Sequence, residues 1–409
     1  MASKRSFVFS SSSPPEWPVY YPIDDAECLD DYCEGGYHPV EIDDVLYERY
    51  RIVNKLGFGG WSTVWLAHDS IKERYVALKV GIARPIPNEI KVLRALEMAG
   101  GYHDKIPRLL DEFRVNGPNG SHPCYVTEPA MCSVRYLYYL DAFPLDVARA
   151  MAYELVQLVS FVHSRGFVHG EQFREEFGEP IKEPVERFDG KPPPIGVPRT
   201  LVLPVSFGGK PARKFTLSDV GLLLGDFGEA FAPASSEPRL GADCHIPAGS
   251  LPPDAHLQPD VPLSFSSDIW SLALAIWYIF AGIPLFGSCF DCPDDVMDQM
   301  IDNLGPLPNG WWEKWEKRTE YYNDDGTKKG RYVDSGLDKR FEKAQDLRRK
   351  RNIGEAGPEE TVVFFDLMRR MLKYEPEERL TINEVLQSEW MVKWALPEHQ
   401  RSLEARGEL

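Results

Sequence analysis

The chain is short of positive charge. Its 409 residues hold 46 Lys and Arg against 63 Asp and Glu, a formal net charge of −17. Non-specific nucleic-acid binding needs clustered cations, so no direct nucleic-acid partner is expected. Long apolar runs are missing as well. No stretch reaches the roughly 18 apolar residues that span a bilayer, and the apolar touch at Phe7–Phe9 is too short for a secretory core. No membrane partner is expected. Cysteine is sparse: seven residues, Cys28, Cys33, Cys124, Cys132, Cys244, Cys289 and Cys292. An odd count with no evident signal peptide indicates a reducing compartment. Cys289-Phe-Asp-Cys292 has the spacing of a metal-binding pair, but no second pair follows, which argues against zinc. What remains is ordinary for a globular protein, 43% hydrophobic and 27% charged residues, in a chain long enough for two lobes with separate cores.

The most informative stretch is Val53–Val80. Apolar residues flank Gly57-Phe58-Gly59-Gly60-Trp61-Ser62-Thr63-Val64, a pattern for two strands joined by a tight turn. Bare glycine backbone lets N–H groups approach a phosphate that side chains would block. Lys79 follows Val64 by 15 residues, inside the strand-forming run Tyr75-Val-Ala77-Leu-Lys79-Val80. An unpaired ammonium buried there costs on the order of several kcal/mol, so it needs an anion, and a nucleotide phosphate is one candidate.

These residues resemble the glycine-rich loop and ATP-contacting lysine of the protein kinases, with Ser62 where the third glycine usually stands. The resemblance implies a nucleotide-contacting set of Leu56, Gly57, Phe58, Gly59, Gly60, Ser62, Val64, Ala77 and Lys79. It extends to Thr127, Glu128 and Ala130, where the strand Pro123–Glu128 runs into an interlobe hinge. Ile90, Leu93 and Leu96 predict an amphipathic helix capped by Asn88. Its Glu89 matches the family glutamate that pairs with the strand lysine; dipole compensation alone is the plainer alternative.

Upstream, Ser10–Ser13, Pro14 and Pro15 predict a disordered tail over residues 1–30. The carboxylate-rich residues 24–44 read as a solvated flank. Within them, Asp31-Tyr-Cys-Glu-Gly35-Gly36-Tyr37-His38-Pro39-Val40 resembles the lead-in of the SR-protein kinases, which phosphorylate serines in Arg-Ser repeats.

Downstream, a long helix over Pro144–Arg165 carries Val147, Met151, Leu155, Leu158 and Val162 on one stripe and leads to Val168-His169-Gly170. There the pattern breaks. The family motif is His-x-Asp with Asn five residues later; the Asp accepts the substrate hydroxyl proton and the Asn holds a metal ion. Read without a gap, Glu171 replaces the Asp, Phe173 the usual Lys and Glu176 the Asn. A longer carboxylate is a poor base, since a misplacement near 1 Å can cost about 100-fold in rate. On a second reading the catalytic loop is absent at the Gly170–Glu171 junction, and residues 171–218, rich in Pro and Gly, are the spacer that some SR-type kinases carry. An irregular excursion is then expected, followed by an apolar strand at Leu222–Leu224.

Asp226-Phe227-Gly228 resembles the metal-binding motif, with Asp226 bridging Mg2+ to the ATP phosphates. Pro252-Pro253-Asp254 stands where kinases have Ala-Pro-Glu, and Asp254 is expected to pair with Arg379. Asp268–Ala281 is apolar around the whole helix yet only 14 residues long, hence a buried central helix. Asp268 reads as its N-cap; the matching kinase residue also grips the catalytic-loop backbone, a partner it loses if that loop is gone. Lys339–Arg351 holds seven basic residues on a helix, read as a solvated face or as a partner site. Thr381–Glu384 reads as a capping box.

The expected fold is α+β, a two-lobed protein kinase. Residues 31–128 form a β-rich N-lobe with its lead-in, 129–395 a helical C-lobe containing the 171–218 spacer, and 396–409 a C-terminal tail. The resemblance implies an ATP- and Mg2+-dependent serine/threonine kinase acting on basic Arg/Ser-rich proteins, monomeric, in cytoplasm and nucleus. In this set Lys79, Glu89 and Asp226 are catalytic and Glu171 is a weak proton acceptor. The alternative is a pseudokinase that binds nucleotide or partners without turnover.

Overall fold

The computed structural model describes residues 19–84, 89–98, 103–129, 142–169, 181–204, 211–234, 238–243, 246–287, 292–330 and 336–409. Backbone contacts divide the chain into two compact units. One comprises Met1–Tyr136 with Phe173–Gly209, the other Leu137–Gln172 with Lys210–Leu409.

The first unit is built on a six-stranded antiparallel sheet. Its strands are β1 (Val45–Leu46), β2 (Tyr50–Gly59), β3 (Ser62–Asp69), β4 (Arg74–Gly81), β5 (Asp111–Gly117) and β6 (Gly120–Thr127), in the order β1-β2-β3-β4-β6-β5. Side chains alternate between faces with period two, and the sequence uses both. Trp65, Ala67, Val76, Leu78, Val80, Cys124 and Val126 point into the main core with Tyr50 and Ile52. The intervening positions Val64, Leu66 and Ala77 join Leu56 in a small separate cluster. Helix α1 runs from Glu89 to Met98 and buries Val92, Leu93 and Leu96.

Two expectations change in this unit. Residues 19–30 are not a featureless tail. Leu29 packs with Tyr32, Tyr37, Ile82, Val185, Val197 and Leu201 in a satellite core that Tyr20, Ile23, Ala26 and Trp61 flank. Glu27, read as part of a solvated flank, is buried. The second change concerns the spacer. Residues 181–204 carry a hairpin, β7 (Ile181–Pro184) paired with β8 (Thr200–Leu203), and they belong to the first unit, not to the helical one. The physical reason is apolar supply: Val185, Val197 and Leu201 complete a core that the lead-in cannot close alone. Asn119 Nδ2 seals the join, donating to the carbonyls of Tyr37 and Gly196 at 2.7 Å each.

The second unit is helical. Helix α2 (Leu145–Ser164) buries the whole expected stripe from Val147 to Val162. After the short α3 (Pro253–Leu257), α4 (Phe265–Ala281) is buried around most of its circumference. Ser264, not Asp268, is its N-cap, in a capping box with Ser267; this frees the Asp268 carboxylate for other partners. Next come α5 (Pro293–Leu304), α6 (Trp311–Lys314), α7 (Arg318–Tyr321), α8 (Leu337–Arg351) and α9 (Pro358–Met371). On the basic helix α8, Arg348 is fully buried and donates to the carbonyls of Phe143 at 2.7 Å, Gly354 at 3.1 Å and Phe280 at 3.2 Å. Helix α10 (Ile382–Leu386) has the expected Thr381–Glu384 capping box.

No strand forms at Leu222–Leu224. A strand needs a neighbour to satisfy its backbone groups; here the Leu222 amide donates instead to Glu154 Oε2 at 3.0 Å. The segment expected as a tail is helix α11 (Leu396–Arg406). It packs on α2, with the His399 ring 5.2 Å from Tyr153 and Ser402 fully buried. Among the described residues no helix is long and apolar enough to cross a membrane.

Candidate active site

In the first unit the glycine turn joins β2 to β3, with Gly57 opposite Val64 and Gly59 opposite Ser62. A Cβ at Gly57 or Gly59 would meet nothing within 4 Å, and neither glycine lies in the left-handed region. The fold itself therefore does not demand glycine at either place. What the bare backbone provides is an open approach to the turn. Register carries the same face across the sheet: Val64 pairs with Lys79 and Lys79 with Tyr125, while Leu66 pairs with Ala77 and Ala77 with Thr127. Leu56, Val64, Ala77, Lys79 and Thr127 thus share one face with Ser62 and Tyr125.

The Lys79 ammonium lies 2.8 and 3.1 Å from the two carboxylate oxygens of Glu89, the first residue of α1. Its side chain is 15% exposed and that of Glu89 6%. The pair ties the strand lysine to the first turn of α1. Phe58 is half-buried, Gly60 lies in the turn, Ser62 is buried, and Glu128 is exposed just after β6. Ala130, Asn88 and Glu171 lie outside the described residues.

Sequence reasoning missed Lys55, two residues before Gly57. It is fully enclosed and ion-paired with Glu27, and burial lowers its pKa while Glu27 opposes that shift. A lysine among buried strand residues was the available signal; its partner, 28 residues upstream, was hidden among other carboxylates.

In the second unit the chain leaving α2 forms a bridge with the segment after Asp226. The Val168 amide donates to the Phe231 carbonyl at 2.8 Å, and the Phe231 amide returns a bond to Val168 at 3.2 Å. The His169 ring sits 2.9 Å from the Gly225 carbonyl and edge-on to Phe227, with centroids 4.8 Å apart. Asp226 has φ +63°, a left-handed conformation that Asp tolerates better than most residues; such conformations cluster at functional sites. The Asp268 carboxylate accepts from the His169 amide at 2.7 Å and lies 2.9 Å from His163 Nε2. The expectation that Asp268 loses its backbone partner is therefore corrected: the residue preceding Gly170 supplies that amide. Arg379 is fully buried and ion-paired with Asp254; it also donates to the carbonyls of Lys373, Tyr374 and Ser266 at 2.8 to 3.0 Å.

The donors suit an anionic nucleotide in the first unit, where an open glycine turn and a held ammonium share a face. In the second unit Asp226 suits a divalent ion. Among the described residues no group of three or more His, Cys, Asp or Glu forms a self-sufficient metal cage.

Comparison with known proteins agrees with these halves. No family model matches the chain. A crystallised kinase domain superposes with a TM-score of 0.55 at 16% identity, covering 87% of this chain and 98% of that one. The fold is that of a protein kinase. A serine/threonine protein kinase of Aspergillus fumigatus is 30% identical over 415 aligned positions, which cover 94% of this chain and 97% of the relative. The Physarum polycephalum serine/threonine-protein kinase SRPK is 26% identical over 89% of this chain and 91% of its own length. Human SRSF protein kinase 3 is 44% identical over a shorter stretch, 26% of this chain and 20% of the relative. The chain belongs to the serine/threonine protein kinases of the SR-protein kinase type.

Proposed function

We propose that this protein binds ATP with Mg2+ and transfers the terminal phosphoryl group to serine hydroxyls in Arg/Ser-rich proteins. The observation that carries the reading is the Lys79–Glu89 pair on the same sheet face as an open glycine turn. The glycine backbone would cradle the phosphates, Lys79 would hold them and Glu89 would orient Lys79. Leu56, Val64 and Ala77 offer an apolar wall for the base, and Thr127, Glu128 and Ala130 would border it. Asp226 would hold Mg2+, which neutralises charge on the transferring phosphate. In the transfer the serine oxygen bonds to phosphorus, the bond to the departing ADP breaks, and the hydroxyl proton leaves. Glu171 is the one candidate acceptor for that proton. The net charge of −17 favours basic substrates, and the proposed places of action are the cytoplasm and nucleus.

A second reading, a nucleotide-binding pseudokinase, has its own support. Gly170-Glu171 follows His169 where the family has x-Asp. The alignment to the Aspergillus relative is also longer than the stretch of this chain it covers, 415 positions against 94% of 409 residues. Part of the relative therefore faces no residue here. The discriminating experiment measures phosphate transfer from Mg-ATP to an Arg-Ser peptide. Transfer that Lys79→Ala abolishes supports the kinase. Nucleotide-dependent thermal stabilisation without any transfer supports the pseudokinase.

A further inference from the structure

The lead-in contacts the glycine turn directly. The Tyr37 hydroxyl donates to the carbonyl of Gly59, the last residue of β2, at 2.8 Å, and Tyr37 itself is only 4% exposed. Two residues before Gly57, the enclosed Lys55 is paired with Glu27, and the Tyr32 hydroxyl donates to the same carboxylate at 2.6 Å. Trp61, within the turn, packs against the satellite core that contains Tyr32 and Tyr37. Its carbonyl accepts from the Ile82 amide at 2.9 Å.

The lead-in is itself fixed. The amides of Ala83 and Arg84 donate to the carbonyls of Gly36 and Gly35 at 3.1 Å each. A Cβ on Gly36 would stand 1.9 Å from the Asp31 carbonyl oxygen, so the chain passes there with no room to spare.

We infer that the lead-in clamps the glycine turn and that Tyr37 is a positioning residue for nucleotide binding. The turn holds three glycines within four residues, and glycine has the most conformational freedom to lose on ordering. A turn left free would pay that entropy when a phosphate docks. Anchoring the Gly59 carbonyl orients the adjoining peptide units in advance, while the Lys55–Glu27 pair fixes the strand that feeds the turn. The clamp holds Gly59 by its carbonyl, and the Cβ positions of Gly57 and Gly59 stay open. The binding half of this inference rests on the nucleotide reading above.

The test is Tyr37→Phe in the full chain, which keeps the ring and removes only the hydroxyl. Two quantities are read: amide hydrogen exchange at residues 59–62 without ligand, and the Kd for Mg-ATP. The clamp predicts faster exchange confined to those residues, a thermal midpoint lowered by no more than the few degrees that one hydrogen bond is worth, and nucleotide binding weakened about fivefold. Unchanged exchange at residues 59–62 would overturn the inference, as would a change spread evenly over the sheet. Unchanged nucleotide affinity despite faster exchange would overturn the role of Tyr37 in binding. A wild-type chain that binds no nucleotide, yet shows the local exchange difference, would sink the nucleotide reading and leave the clamp standing.

Discussion

Two lysine–glutamate pairs have their lysines on one sheet, and they differ in enclosure. Lys55 and Glu27 are sealed, 0% and 1% exposed, between the strand and the lead-in. Lys79 and Glu89 keep 15% and 6% exposure on the face shared with the open glycine turn. A sealed pair spends its charge on its partner and contributes to register and docking; burying it gives little net stability, although breaking it is expensive. A pair that is less enclosed, beside an open glycine turn, is better placed to meet a third charge. The contrast separates residues that build the first unit from residues that could bind a phosphate. Proximity to the glycine turn alone would not have done so, since Lys55 is nearer to it in sequence.

The sharpest way to test the contrast is to remove one lysine from the sealed pair. Lys55→Met leaves Glu27 buried without its cation and should cost about 3–5 kcal/mol, read by urea unfolding of the first unit. The double variant Lys55→Met/Glu27→Leu removes both charges and should recover most of that loss. If the single and double variants were equally unstable, the pair would owe its place to packing and not to charge.

A smaller effect comes from acid. The His38 ring in the lead-in is pushed down to about 4 by burial and by the neighbouring His122, 4.8 Å away. Burial lowers His122 too. Between about pH 6.5 and 4 the unfolded chain takes up protons that the folded one refuses. Stability is therefore full above pH 6.5 and falls as the pH drops through this window, by on the order of 3 kcal/mol for His38. Unfolding curves at pH 7 and pH 4.5 should show a smaller difference in His38→Gln than in the wild type. Equal differences would remove His38 from the account.

The smallest effect on stability is expected on the open face. Gly57→Ala places a methyl where nothing lies within 4 Å. The change in folding free energy should stay within about 0.5 kcal/mol, while Mg-ATP binding weakens because the methyl enters the approach to the turn. A large loss of stability would show that this glycine serves the fold.

Much of this was legible in the sequence because local pattern and local partner coincide. Glu89 opens a helix ten residues after Lys79, and the apolar stripe of α2 needs only its own spacing. Arg379 and Asp254, 125 residues apart, were paired through family resemblance, not through pattern. What stayed hidden depends on contacts between distant segments. Glu27 looked like one more carboxylate on a solvated flank, and only folding brings Lys55 to it. The spacer's composition marked it as irregular, yet Val185, Val197 and Leu201 fall where the lead-in needs apolar cover. Asp268 was misread as a cap because the run of apolar residues begins after it; Ser264, Ser266 and Ser267 lay just upstream and start the helix one turn earlier. The strand expected at Leu222–Leu224 failed for want of a neighbour, which no single-segment pattern reports. The last residues, expected as a tail, form α11 because they dock on α2, a contact that their own sequence does not report.

The most direct measurement of the central claim is a thermal unfolding titration with Mg-ATP of the wild-type chain beside Lys79→Ala. A binding site that uses the Lys79–Glu89 pair predicts a midpoint that climbs with nucleotide, equivalent to about 2.7 kcal/mol at 100 times Kd, and little or no climb in the variant. A wild-type midpoint that ignores Mg-ATP, or a variant that climbs equally, would contradict the assignment of this face to the nucleotide.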